Sequence, residues 1–281
     1  MFFISRHFIM YDRVGIDGGL FMLNKRFGFT LAEVLITLGI VGIVAAMTVP
    51  TLINNYKEKV RVNKLKKSYA VLTSAFNLAK NEFGEVAQWG LPASSDTQNY
   101  TIAIGDKLRT FMKVDRICST RNEFQKCFTG GYSGTKEFRN GFLDGTGHAG
   151  ASYHSFVSNG ITYGISSYYN DLSNIKGINK VYYAGITVYI EPYLHVNAGY
   201  TYGKNVFQFL LTDKGILPAG DGDNLPEVWY KYVSLPFKVF CVQPSGKFGR
   251  GQGCTDWVIK KGNMDYLKCP EKIAAGASGC K

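Results

Sequence analysis

The stretch Lys25-Arg26-Phe27-Gly28-Phe29-Thr30-Leu31-Ala32-Glu33 opens onto an apolar run that ends at Pro50. From Leu31 to Val49 the one strongly polar residue is Glu33, with Thr37 and Thr48 as mild exceptions. As a helix this run rises roughly 28 Å, close to a bilayer core of about 30 Å. The basic pair just before it suits a cytoplasmic flank. A carboxylate in hydrocarbon costs a few kcal/mol even on gentle insertion scales, so Glu33 needs a reason to be there. A cleaved secretory signal fits poorly. Its apolar core is roughly 7–15 residues with a small-residue cut site after it, whereas this run is longer and Ala45-Ala46-Met47 is a weak site.

The apolar pattern outlasts the membrane. Tyr56, Val60, Leu65, Tyr69, Leu72, Phe76, Ala79 and Phe83 recur at steps of three, four or five, which predicts an amphipathic helix stopping at Gly84. From Phe29 to Phe83 that helix would be about 80 Å long. Its first part would lie in lipid, and its second would press an apolar stripe on a globular domain. Pro50 lacks an amide donor and should bend or locally open it. These residues alone also allow a signal anchor followed by a short stalk. Lys57, Lys59, Arg61, Lys64, Lys66 and Lys67 surround a single acid, Glu58. A positive-inside count would leave that side in the cytoplasm.

After Gly84 the chain turns to Gly, Tyr, Phe, Asn and Ser, with short apolar-aromatic runs between turn residues. Candidate strands are Gly160–Ser166, Val181–Tyr189, Val206–Leu211, Val233–Val242 and Trp257–Lys260. Asn159-Gly160, Lys214-Gly215 and Asp221-Gly222 read as turns, and residues 100–113 as a short helix. Residues 84–281 can bury a substantial core, so one β-rich head is expected.

The formal charge of +11 divides into +2 on residues 1–28, +4 on 29–83 and +5 on 84–281. Such an excess on the head is usually a solvated face, which leaves DNA or anionic lipid as a weak partner signal. The six cysteines, Cys118, Cys127, Cys241, Cys254, Cys269 and Cys280, all lie beyond the membrane run. An even number there suggests disulfides, the simplest pairing being sequential, one of fifteen that six cysteines allow. Zinc is disfavoured because no Cys-x-x-Cys and no completing His pair occurs, and His7, His148, His154 and His195 read as surface or loop residues.

No nucleophile, base and orienting acid assemble from local motifs, so no enzyme is expected. Ser245–Gly251 is glycine-rich but lacks the phosphate-loop spacing. Asp221, Asp223 and Asn224 offer oxygen ligands for calcium, yet the run fails the EF-hand pattern and reads first as a turn.

From Gly28 onward the residues resemble the class III signal of type IV prepilins and type II secretion pseudopilins: a basic leader ending in Gly, then Phe-Thr-Leu-x-Glu and an apolar helix. The resemblance implies that prepilin peptidase cuts after Gly28 and methylates Phe29. It implies that Glu33 neutralises the Phe29 amine of a neighbouring subunit. Gly42 and Pro50 fall where such helices loosen on assembly. Implied too are an inner-membrane protein with an exported head, against the positive-inside count, and a filament of pilin or pseudopilin subunits built by an inner-membrane assembly machinery. The expected fold is an α+β, pilin-like lollipop: a leader (1–28), a transmembrane and assembly helix (29–83) and a disulfide-linked, mainly antiparallel head (84–281). The leader is long for this class, and a start at Met22 would give a compact basic one. Tyr202–Phe207, Gly253–Val258 and Gly262–Leu267 resemble, more loosely, stretches of large pilin-like proteins, and read as turn and core residues. Secretion pseudopilin and pilus subunit stay open. The rival from another class is a membrane-anchored binding module for DNA or a surface ligand without filament assembly; membrane lipid is a partner in both.

Overall fold

The computed structural model describes residues 29–118, 127, 154–174, 179–191, 201–220, 237, 241–242 and 251–280. Helix α1, Leu31–Phe83, carries both the apolar run and the amphipathic segment after it. It ends where the Gly84 N–H bonds Lys80 O, and Trp89 Nε1 donates to Gly84 O to hold the exit. The chain divides into two units, Met1–Tyr56 and Lys57–Lys281, with the boundary inside α1.

In the second unit six antiparallel strands lie side by side in chain order: β1 Arg116–Cys118, β2 His154–Ser158, β3 Ile161–Leu172, β4 Lys180–Tyr189, β5 Val206–Thr212 and β6 Gly215–Pro218. With its helices this makes a mixed α+β fold. Asn159 (φ 51°) and Gly160 (φ 71°) close the β2–β3 hairpin with the left-handed pair that two-residue loops favour. Lys214-Gly215 turns between β5 and β6.

Register decides the two faces. Phe156, Tyr163, Val188 and Phe207 form one cross-strand row, and Ile165, Ile186 and Phe209 the next. This face joins Leu65, Leu72 and Phe76 of α1 in one core, with Tyr69 stacked on Phe209 at 5.5 Å. Helix α2, Thr97–Arg109, adds Ile104 and Leu108. The opposite face runs Cys118, Ser155, Gly164, Thr187, Gln208 across five strands, and these small and polar residues are buried too. Thr187 Oγ1 donates to Gln208 Oε1 (3.0 Å), Thr162 Oγ1 to Cys127 O (2.9 Å), and the Gln208 N–H to Thr255 Oγ1 (3.0 Å).

Several expectations change. Trp257–Lys260 is not a strand: it lies in α3, Thr255–Lys261. Thr255 and Val258, three residues apart, are buried together, and Lys260 reaches back one turn to Asp256 at 2.9 Å. A short apolar run cannot distinguish the two states by periodicity, and helical burial decides it here. Of the run Val233–Val242, Phe237 is helical and receives the Cys241 N–H on its carbonyl (2.9 Å); residues 233–236 and 238–240 lie outside the described residues. Tyr56 does not join the α1 stripe and is 68 % exposed, while Val62, Ser68 and Ala75 do join it. His154 is no loop residue: it is buried on β2. A short helix α4, Pro270–Ala274, follows α3.

Candidate functional site

Among the described residues, the first unit holds the apolar part of α1 and the two residues before it. Phe29 is 88 % exposed, and Leu31, Leu35, Ile36, Leu38, Val41 and Met47 are exposed on every side of the helix. A helix apolar all round is covered by lipid or by other helices. Among the described residues α1 is long and apolar enough to cross a membrane. Its mild polar residues are satisfied internally, Thr37 Oγ1 on Val34 O and Thr48 Oγ1 on Val44 O, both 2.9 Å. Nothing lies within 4 Å of where a Cβ on Gly39 or Gly42 would sit. The helix continues through Pro50 and does not open there. The ring removes one amide donor, and the bonds of the long helix on either side hold the turn.

Glu33 is the third residue of α1, and Thr30 is its N-cap. Glu33 Oε2 accepts from the Thr30 N–H and from Thr30 Oγ1, both at 2.9 Å, while the Glu33 N–H donates to Thr30 Oγ1 at 3.2 Å. This reciprocal capping box satisfies amide donors that the first turn would otherwise leave open. Sequence reading singled out Glu33 and missed Thr30, although Thr-x-x-Glu is the capping signature. Thr30 offers neutral donors, so it orients the carboxylate but cannot cancel its charge. Gly28 lies outside the described residues.

In the head, disulfides join Cys118 to Cys127, Cys241 to Cys254 and Cys269 to Cys280. The structure gathers the three loosely family-like stretches around Cys254. A Cβ on Gly203 would approach Cys254 Sγ at 2.9 Å, the Tyr266 hydroxyl donates to Gly203 O, and Trp257 Nε1 donates to Asn263 Oδ1 at 2.8 Å. Burial pushes the neighbouring Tyr202 phenol up to about 12, so it stays neutral. At the other end, Glu58 Oε2 takes Lys268 Nζ at 2.7 Å and Arg61 grips Glu191 through two bonds of 2.9 and 3.1 Å. These contacts dock α1 onto the head and were not visible as pairs in the sequence.

The calcium candidates Asp221, Asp223 and Asn224, with His7, His148 and His195, lie outside the described residues. Among the described residues no three His, Cys, Asp or Glu side chains gather as metal ligands. The buried His154 instead faces Asp106 of α2, Nε2 to Oδ1 3.3 Å, and burial holds its pKa below the ordinary histidine value.

Compared with known families, residues 23–49 match the prokaryotic N-terminal methylation motif. No curated protein and no solved structure matches the chain.

Proposed function

We propose that this chain, a type IV pilin-like protein whose class III signal is processed by prepilin peptidase, is a filament subunit of a type II secretion or type IV pilus system. The peptidase cuts between Gly28 and Phe29 and methylates the new amine. The subunit then waits in the inner membrane, with α1 across it and the head outside. Pilin-like families are structural, and the reading assigns this chain no catalysis.

One observation carries it: the methylation motif runs directly into a helix exposed and apolar on all sides, with a single acid in its first turn. Such a helix gains by packing with copies of itself. An amine and a carboxylate in lipid are each costlier alone than as a pair, so Glu33 can select the register in which it meets a neighbour's Phe29 amine. Gly42 and Pro50 mark where α1 is easiest to loosen as it enters the filament. Three disulfides in the head support an oxidising compartment on that side.

Intact mass and N-terminal peptide mapping of the protein from its own membrane test the reading. A chain beginning at N-methylated Phe29 is expected. A chain that keeps the residues before Phe29 would overturn it.

A further inference from the structure

Lys57 and Lys59 are exposed, and neither has a carboxylate partner among the described residues. The acid between them does not answer their charge. Glu58 turns into the head, taking Lys268 Nζ at 2.7 Å and the Met264 N–H at 3.0 Å. Arg61 is held by Glu191, and Lys64 Nζ donates to Ile190 O at 3.3 Å. The six basic residues that looked alike in sequence are therefore of two kinds. Arg61 and Lys64 dock the helix and Lys66 lays its Nζ over Gly262 of the head, whereas Lys57, Lys59 and Lys67 face outward.

Position along α1 separates the four lysines other than Lys64. Leu52 and Ile53 are still exposed apolar residues. From Leu31 to Ile53 the helix rises about 33 Å, enough to fill a core of about 30 Å. Lys57 then lies about 6 Å and Lys59 about 9 Å past the last apolar residue, at a headgroup layer roughly 5–8 Å deep. Lys66 and Lys67, about 20 Å past it, are out of reach. A crossing helix meets headgroups all round, so the two lysines need not share a face, and their long side chains can adjust depth.

We infer that Lys57 and Lys59 form an anchor for anionic phospholipid, their ammonium groups on headgroup phosphates, which fixes the depth of α1. The inference rests on α1 crossing a bilayer and holds whether or not the subunit polymerises.

Residue-by-residue lysine acylation of the full chain tests it, in phosphatidylcholine nanodiscs with and without phosphatidylglycerol. Lys113 and Lys204, exposed on the head, are internal references. The anionic lipid should slow Lys57 and Lys59 about fivefold each relative to those references, and salt should restore the rates. Equal rates in the two discs would overturn the anchor. So would equal protection by inorganic phosphate in pure phosphatidylcholine, which would mean a free-anion site.

Discussion

The imidazole of His154 fills a notch that Gly105 leaves in α2, and a Cβ added at Gly105 would collide with His154 Cδ2. His154 is 1 % exposed and has no open direction in which to retreat. Alanine would gain about 1 kcal/mol in helix propensity, but overpacking a full core costs about 1–3 kcal/mol and more where nothing yields. Gly105→Ala should therefore lower stability by about 1–2 kcal/mol in denaturant unfolding. In a His154→Ala background the same change should become neutral or favourable, because the colliding ring is gone.

The same histidine gives the head a pH dependence of definite sign. Burial lowers its pKa, Arg109 lowers it further, and Asp106 opposes both without reversing them. The folded state thus binds fewer protons than the unfolded chain, whose histidine titrates near 6.5. Stability from this group is complete above about pH 6.5 and is lost as pH falls below it, by up to about 1.4 kcal/mol per unit. Unfolding midpoints measured between pH 8 and pH 5, the window above ordinary carboxylate titration, should decline from roughly pH 6.5 downward. A His154→Gln variant should lose that decline; an unchanged slope would assign it elsewhere.

How much of this was legible in sequence depends on which force fixed each element. Helix α1 was readable because an unbroken apolar run from Leu31 to Val49 is followed by an amphipathic period up to Phe83, and β3, β4 and β5 because aromatic and β-branched runs sit between turn residues. Strand β2 was hidden because all of His154–Ser158 is buried, which erases the alternation a half-buried strand shows. The Thr30 cap was local and available. Glu58–Lys268 and Arg61–Glu191 join residues far apart in the chain, which no local spacing reports. Tyr56 fitted the spacing of the stripe, yet the buried positions of α1 begin only at Val62.

The loops around Cys254 should be the least tolerant part of the head. Gly251 has φ 90°, and a Cβ there would collide with the backbone carbonyl of Tyr202. Gly90 has φ 67° but open space where its Cβ would go. Gly90→Ala should cost only the left-handed penalty, about 1–2 kcal/mol. Gly251→Ala carries the same penalty plus a clash with backbone that cannot rotate away, and should cost about 3 kcal/mol or more. Thermal unfolding of the two variants side by side measures the difference. Equal losses would mean that the close packing around Cys254 contributes little.

Glu33 combines a capping role and a charge, and two substitutions separate them. Glutamine keeps an oxygen that can accept from the Thr30 N–H and hydroxyl, so Glu33→Gln retains the capping box in neutral form. Alanine removes both, at a cost of about 1 kcal/mol to the first turn. Neither change makes the helix less apolar, and membrane insertion should survive in both. If Glu33 acts by pairing with a neighbour's amine, Gln and Ala should block filament formation alike, since neither supplies a negative charge. If it acts only as a cap, Gln should assemble like the parent chain while Ala is impaired. Pelleting of sheared filaments, with membrane-fraction blots to establish insertion, distinguishes the two. We expect both variants in the membrane and neither in filaments.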